Sequence, residues 1–300
     1  MKDVELLAPA GDIEKLKMAI IYGADAVYLG GENFGMRTAA KNFSNEDIRE
    51  GVKYAHERGK KVFVTVNIIP HNEDFNGLED YLLELEKAGV DALIASDPGV
   101  ISVIKATIPN MEIHLSTQAN TTNYHSANFW YKQGVKRVVI ARELSFEEIK
   151  ELRDNIPQDM DVEAFMHGAM CISYSGRCLI SNYMTGRDAN RGSCAQSCRW
   201  KYSLVEEKRP GEYYPVYEDE RGTFFFNSKD LCMIEYIPEL INSGITSLKI
   251  EGRMKTAYYV ATVVRAYRMA IDAYYEKGPD WKFDPIWLDE LKKGSHRHFT

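Results

Sequence analysis

Several features that mark other protein classes are missing from this sequence of 300 residues. No apolar run approaches the roughly 20 residues that a membrane-spanning helix needs, so the sequence excludes a membrane-spanning protein. The first residues, from Met1 to Glu5, carry acids and lead directly into an apolar run. They therefore lack the basic and apolar regions of a secretory signal, and we expect a cytoplasmic protein.

Positive charge is also scarce. The net charge of -7 argues against a protein wrapped in nucleic acid, because phosphate binding needs a basic surface. One local basic region exists between residues 166 and 202, where a single acid, Asp188, accompanies five cations: Arg177, Arg187, Arg191, Arg199 and Lys201. An acidic segment, 206–220, follows it. The region is either an ordinary solvated face that pairs with this neighbour or a binding surface for an anionic substrate.

Cysteine is absent from the first 170 residues, and all five cysteines lie between positions 171 and 232. In a reducing compartment this clustering indicates metal or redox chemistry before disulfides. The gaps of six, fifteen, three and thirty-three residues differ from the tight Cys-x-x-Cys pairs of a zinc ribbon. They suit a [4Fe–4S] cluster, whose ligands can come from separate loops. Zinc is the second choice, and buried free thiols are the alternative without metal chemistry.

Short β-branched runs alternate with amphipathic helical stretches along the chain. The predicted strands are 5–9, 26–30, 61–67, 92–96, 112–118, 137–142, 161–167 and 247–253, and the predicted helices are 13–22, 45–58, 78–88, 99–106, 126–133, 146–155 and 257–276. Ser44 and Ser145 read as capping boxes, and a glycine such as Gly89 marks several helix ends. Eight strand–helix units predict an α/β fold, a (β/α)8 TIM-like barrel. An open doubly wound sheet is the alternative, although no Gly-x-Gly-x-x-Gly follows a strand.

The spacing of the strands divides the chain into parts. After the seventh strand about 80 residues pass before the eighth begins near Ser247, and such a loop is uncommon unless it is functional. We expect barrel strands 1–7 in residues 1–168, a cysteine-rich insertion between strands 7 and 8 in 169–246, and the last strand with a closing helix in 247–300. The tyrosines at 213–217 suggest a small hairpin. The chain ends without a helix cap or polar tail, so we expect a further C-terminal domain missing from it.

The longest recognisable motif runs from Glu163 to Ser181, Glu-Ala-Phe-Met-His-Gly-Ala-Met-Cys-Ile-Ser-Tyr-Ser-Gly-Arg-Cys-Leu-Ile-Ser. It resembles the signature of the peptidase U32 family, long described as collagenase-like proteases, and segments 6–11, 24–30 and 249–253 resemble that family too. The resemblance implies a barrel-like N-terminal domain. The subgroup that the sequence resembles most is the tRNA uridine hydroxylases. This implies oxygen-independent formation of 5-hydroxyuridine at the wobble position, with a [4Fe–4S] cluster and with prephenate as the hydroxyl source.

The resemblance also implies which cysteines bind the cluster: Cys171, Cys178, Cys194 and Cys232, with Cys198 as the alternate. Their sulfurs should converge on one small volume, although an aerobic preparation could lose the cluster or hold zinc instead. The sequence contains no His-Glu-x-x-His and no Gly-x-Ser-x-Gly, and its histidines are dispersed. An RNA hydroxylase is therefore the leading hypothesis and a peptidase is its rival. A third possibility is RNA binding without turnover.

Other site residues are expected where polar side chains end the predicted strands, because the carboxyl ends of barrel strands form the active-site face. The predicted catalytic residues, which could bind a dicarboxylate such as prephenate, are Glu163, His167, Arg142, Glu251 and Arg253. Structural ion pairs, and a packed core imidazole for His167, are the alternatives. The predicted RNA-binding residues are Arg177, Arg187, Arg191, Arg199 and Trp200. Tyr174 and Trp200 either stack on an exposed base or pack against protein.

Overall fold

The computed structural model describes residues 3–36, 42–200, 203–204, 207–212, 214–215 and 229–300. Its strands are β1 (Glu5–Pro9), β2 (Ala26–Gly30), β3 (Lys61–Val66), β4 (Ala92–Ala95), β5 (Glu112–Leu115), β6 (Arg137–Val139), β7 (Asp161–Ala169), β8 (Ser203–Leu204), β9 (Tyr214–Pro215), β10 (Asp230–Cys232) and β11 (Ser247–Ile250). Its α-helices are α1 (Ile13–Ile21), α2 (Asn45–His56), α3 (Leu78–Ala88), α4 (Pro98–Thr107), α5 (Tyr124–Lys132), α6 (Phe146–Asp154), α7 (Ile180–Thr185), α8 (Ile237–Asn242), α9 (Ala257–Lys277) and α10 (Pro285–Lys292). Within these ranges no helix is both long and apolar enough to span a membrane.

Eight parallel strands form a closed ring in the order β1, β2, β3, β4, β5, β6, β7 and β11. Strand β7 pairs with both β6 and β11, and β11 pairs in turn with β1. This closure confirms the predicted (β/α)8 TIM-like barrel and rules out the open doubly wound sheet. Several strands are shorter than predicted: β5 ends at Leu115 because Thr117–Ala119 turns into a 3₁₀ helix.

The helix ends follow the local chemistry of the sequence. In α2 the Ser44 hydroxyl accepts from the Asp47 N–H at 3.1 Å, and the Asp47 carboxylate accepts from the Ser44 N–H at 3.1 Å, so the predicted capping box forms. A second capping box opens α6 at Ser145. Gly89 ends α3 with a φ of 79°, a left-handed conformation that favours glycine.

The lower half of the barrel interior contains a layer of paired charges. Arg137, at the start of β6, forms ion pairs with Glu5, Asp161 and Glu163, and the Lys249 ammonium lies 2.7 Å from the Glu163 carboxylate. Above this layer lies a separate apolar cluster of interior side chains: Leu7, Ala26, Tyr28, Phe63, Ala92 and Ile94. This part of the barrel interior is therefore filled, and among the described residues a cavity remains towards the carboxyl ends of the strands.

The long segment between β7 and β11 contains all five cysteines. Strand β10 in this segment runs antiparallel to β7, with Cys232 opposite His167, and the sequence analysis did not predict it. Strands β8 and β9 form the small antiparallel pair that the tyrosine-rich stretch suggested, whereas residues 213 and 216–217 lie outside the described part. Backbone hydrogen bonds also join Asp230 to His298 and Thr300. The segment thus begins at the barrel mouth after β7. Its strand β10 then pairs with β7 and contacts the last residues of the chain.

Candidate functional site

A cavity of about 200 Å³ opens at the carboxyl ends of the barrel strands. Its floor includes Tyr28, Ile94 and Phe165 from the strands, and its walls include residues of the segment that follows β7. Active sites of such barrels form at this end, because the strand-to-helix loops meet there. The cavity is therefore the candidate functional site.

Four cysteines line this cavity: Cys171, Cys178, Cys194 and Cys198. Burial raises the pKa of the Cys198 thiol, and the neighbouring thiols Cys171, Cys194 and Cys178 raise this pKa further. The cysteines therefore lie close enough to influence one another's ionisation. Within the described ranges, however, no three His, Cys, Asp or Glu residues are already grouped as a metal site.

Local hydrogen bonds fix the turns that carry these cysteines. Asn190 bonds both backbone groups of Cys178, with its oxygen accepting from the Cys178 N–H at 3.1 Å and its amide donating to the Cys178 carbonyl at 3.0 Å. The Ser181 hydroxyl accepts from the Ala195 N–H at 3.0 Å and joins α7 to the turn between Cys194 and Cys198. Arg191 anchors the same region to the loop after β3 through Glu73 and Asp74. The sequence places the cysteines on short turns that bond to one another.

Cys232 does not line the cavity with the other four, contrary to the expectation from sequence. A register shift in the β7–β11 pairing places Lys249 opposite Phe165 but Ile250 opposite His167, so Met166 forms a bulge. Lys249 and Phe165 point into the barrel, whereas Ile250 belongs to the outer core beneath the helices. His167 and its partner Cys232 therefore face outward as well. The fourth cysteine that lines the cavity is therefore Cys198 and not Cys232.

His167 is a buried residue beneath α9, and the predicted catalytic contact is absent because His167 does not line the cavity. Its Nδ1 lies 3.2 Å from the Tyr267 hydroxyl, and its ring packs against Tyr267 and Phe299. Burial lowers the pKa of His167 to about 3, so the imidazole is neutral near pH 7. The packed core imidazole named as the alternative matches this environment.

Glu163 also lies away from the cavity, in the layer of paired charges. It is completely buried, and it accepts from Lys249 at 2.7 Å and from Arg137 at 3.1 Å. Burial would raise the pKa of this carboxyl, but Lys249 and Arg137 lower it to about 2. The sequence predicts that Glu163 contacts a ligand. In the structure its carboxylate instead holds the Lys249 ammonium beneath the cavity floor and does not line the cavity.

The other three predicted catalytic residues, Arg142, Glu251 and Arg253, line the cavity. The Arg142 guanidinium lies 4.4 Å from the centre of the Phe165 ring. Arg253 is buried and donates to Thr65 at 3.2 Å, in a space left open because Gly30 has no side chain. The Glu251 carboxylate accepts from the Tyr28 hydroxyl at 3.3 Å.

The predicted RNA-binding residues divide into two groups. Arg177, Arg187, Arg199 and Trp200 are exposed, and Arg199 also lines the cavity. Arg191 instead forms ion pairs with Glu73 and Asp74. Around the mouth the surface also exposes Tyr174 and Tyr183, the latter with 89% of its area accessible.

Sequence analysis did not assign several residues that line the cavity. Lys249 and Lys255 are cationic, and burial lowers the pKa of Lys255. Asn67 and Gln118 contribute amides. The sequence carried a signal for all four, because Lys249 and Lys255 lie in or beside a family-like motif and the two amides end predicted strands. The sequence alone does not show that the folded barrel brings these four residues to one cavity.

Comparisons with known proteins identify the family and support the fold. The chain is 50% identical over 296 residues to tRNA hydroxylation protein P1 of Bacillus subtilis (strain 168), covering 99% of this chain and 69% of that protein. It is 41% identical over 335 residues to tRNA hydroxylation protein P of Escherichia coli (strain K12), covering 99% and 73%. A solved structure of the U32 peptidase Mk0906 shares the fold, with a TM-score of 0.53 and 14% identity, over 83% of this chain and 93% of that one. The family model described as "Peptidase family U32" matches residues 11–300, so the chain belongs to this family.

Proposed function

We propose that this protein is a tRNA-modifying hydroxylase that carries a [4Fe–4S] cluster and converts the wobble uridine to 5-hydroxyuridine without molecular oxygen. One observation carries the proposal: four cysteines line one cationic cavity at the active-site end of a barrel. The names of the Bacillus subtilis and Escherichia coli relatives supply the reaction class, tRNA hydroxylation. A tRNA substrate also agrees with a cytoplasmic location.

The cluster site is proposed at Cys171, Cys178, Cys194 and Cys198. Their chemistry fits, because thiolates are the usual ligands of [4Fe–4S] clusters and four of them share one cavity wall. A bound cluster would supply electron transfer. Burial and the neighbouring thiol of Cys171 raise the pKa of the Cys198 thiol, and the positive charge of Arg199 offsets this rise only in part.

The hydroxyl source is proposed to be a carboxylate metabolite such as prephenate, which binds in the same cavity. Five cations line it, Arg142, Arg199, Lys249, Arg253 and Lys255, against the single carboxylate of Glu251. This excess of positive charge attracts an anionic ligand, and guanidinium groups can bond a carboxylate through two parallel hydrogen bonds.

The tRNA contact is proposed on the rim of the cavity. Arg177, Arg187 and Arg199 are exposed there and suit phosphate contacts, whereas the exposed rings of Tyr174 and Trp200 suit stacking on unpaired bases. An enzyme that modifies a base must first take that base out of its stack, so a loop nucleotide is the natural target.

The rival function, proteolysis, is supported by names such as the family description and not by a described nucleophile with its base. A cysteine peptidase needs a reachable thiol beside a base. In the described part of the chain, Cys232 pairs with His167, but both lie buried beneath α9. Burial raises the pKa of this thiol and lowers the pKa of this imidazole, so neither residue is prepared for nucleophilic attack.

One experiment separates the two functions. Anaerobically reconstituted protein is incubated with unmodified tRNA and prephenate, and the digested nucleosides are analysed by mass spectrometry. We expect 5-hydroxyuridine that depends on both the iron and the prephenate. Absence of the modified nucleoside, together with peptide cleavage by a rigorously purified sample, would reverse the assignment. RNA binding without any product would instead indicate a binding protein.

A further inference from the structure

Two amide side chains meet on one wall of the cavity. Asn67 follows β3 and Gln118 lies in the turn after β5, and both line the cavity. The Asn67 amide donates to the Gln118 oxygen at 2.8 Å, and the Ser116 hydroxyl donates to the same oxygen at 3.3 Å. These bonds join two barrel strands' ends and fix both amide planes.

Each amide keeps one polar atom unused. Nε2 of Gln118 and Oδ1 of Asn67 are enclosed and have no hydrogen-bond partner, and Gln118 is only 4% exposed. Buried polar atoms are nearly always paired, because an unsatisfied donor or acceptor loses its bonds to water without replacement. One unpaired donor beside one unpaired acceptor therefore points to a ligand that supplies the complementary pair.

We infer that Gln118 and Asn67 read the hydrogen-bonding edge of a uracil base, which makes them specificity-determining residues. The Gln118 amide donates to the carbonyl oxygen O4 of the base, and the Asn67 oxygen accepts from the ring N3–H. Cytosine would place an acceptor against the Asn67 oxygen and a donor against the Gln118 amide, so it is rejected. This inference rests on the proposed function, since it assumes that a target nucleotide enters the cavity.

The rest of the cavity supports a base in this position. Tyr28 and Phe165 line the floor and offer flat aromatic faces. Recognition of an extruded base commonly combines hydrogen bonds to its pairing edge with stacking on aromatic side chains. Paired amide groups are suited to such reading because each amide presents a donor and an acceptor in one plane.

The test measures binding of short RNA hairpins to the whole protein by fluorescence anisotropy under anaerobic conditions. The hairpins share one stem and a loop of adenosines, and differ at one loop nucleotide: uridine, 3-methyluridine or cytidine. The methyl group of 3-methyluridine removes the N3–H donor and nothing else from that edge. We expect the wild-type protein to bind the uridine hairpin roughly 10-fold more tightly than either of the others.

Variants then locate this preference. Gln118→Met removes the donor to the carbonyl oxygen, and Gln118→Glu replaces this donor with an acceptor, so both should reduce the preference for uridine over cytidine. Asn67→Leu removes the acceptor for N3–H and should abolish the preference for uridine over 3-methyluridine. Gln158→Met is the matched control, because Gln158 is exposed and precedes β7 at the opposite end of the barrel. Its uridine preference should equal that of the wild type. A purely structural role of Gln118 would lower the stability or all three affinities together, and would leave the ratio unchanged.

The outcomes are distinct. Equal wild-type affinity for uridine and 3-methyluridine, or a preference for uridine over cytidine that both Gln118 substitutions leave unchanged, overturns the inference and leaves the proposed hydroxylase in place. Failure of the wild-type protein to bind any hairpin or to hydroxylate tRNA overturns the proposed function itself.

Discussion

The two ends of the barrel interior use charge in opposite ways. At the lower end the carboxylates of Glu5, Asp161 and Glu163 pair with the cations Arg137 and Lys249, so that each charge in this layer has an opposite partner. At the upper end cations outnumber the single carboxylate of Glu251 around an open cavity, and four thiols share its wall. The difference indicates that paired charges hold this barrel together, whereas an excess of cations marks the place that is proposed to bind an anionic ligand. Changing residues at each end should therefore affect different properties.

The largest effect is expected at the cysteine wall. Cys198→Ala should lose the bound iron and the hydroxylation activity, because it removes a thiolate that faces the cavity. Cys232→Ala is the matched control, since Cys232 lies in the core beneath α9. Iron content per chain and hydroxyuridine yield after anaerobic reconstitution measure both variants. Retention of iron in Cys198→Ala with its loss in Cys232→Ala would restore the ligand set first expected from the sequence.

A large loss of stability is expected in the layer of paired charges. Glu163→Ala leaves the buried cations Lys249 and Arg137 without their shared carboxylate, which should cost about 3–5 kcal/mol of unfolding free energy. Urea unfolding of the apoprotein measures this change. Glu151→Ala on the exposed side of α6 serves as the control and should change little. A stable Glu163→Ala protein with lost tRNA hydroxylation would instead make Glu163 part of the chemistry.

An intermediate effect is expected from pH. The pKa of His167 falls from an ordinary value of 6.5 to about 3 in the folded protein because of burial. Below pH 6.5 the unfolded chain therefore binds a proton at His167, whereas the folded chain does not bind this proton until the pH approaches 3. The contribution of His167 to the free energy of unfolding is therefore complete above pH 6.5. This contribution is lost as the pH falls towards 3, by up to about 1.4 kcal/mol per pH unit. His167→Gln should flatten this slope between pH 6.5 and 5 in urea unfolding, and an unchanged slope would contradict the assignment.

The smallest effect concerns the rim. Arg199→Ala should reduce the magnitude of the slope of log affinity for tRNA against log salt by about 0.7, the value of one contact to a single-stranded phosphate. Arg191→Ala should change this slope less, because Arg191 already pairs with Glu73 and Asp74. Anisotropy titrations at several salt concentrations compare the two. Equal slopes for the two variants would remove Arg199 from the RNA contact.

Much of the architecture could be predicted because local patterns determine it. The strands β1 and β2 and the helix α3 have the bounds that their apolar periodicity predicts, and the capping boxes at Ser44 and Ser145 form. Strand β10 escaped prediction because three residues are too few to show an alternation. Its position depends on pairing with β7, which is distant in the sequence.

The site was harder to predict than the fold. The sequence identified the cysteines as a group and Arg142, Glu251 and Arg253 as residues near the mouth. It could not tell Cys198 from Cys232, because the bulge at Met166 decides which face His167 and Cys232 share. It could not exclude Glu163 either, since a buried carboxylate between Lys249 and Arg137 and a catalytic one have the same sequence signature.

The bulge at Met166 also sets a rule for how relatives of this protein can vary. Before it, Glu163 and Phe165 point into the barrel; after it, His167 faces the helices, and Ala169 and Cys171 return to the cavity. Inserting or deleting one residue between Glu163 and Ala169 would change which side chains of β7 face the cavity beyond that point. The ion pair with Lys249 and the first cysteine are thus tied to a fixed length of chain. Related sequences should therefore tolerate substitutions in this stretch more readily than changes in its length.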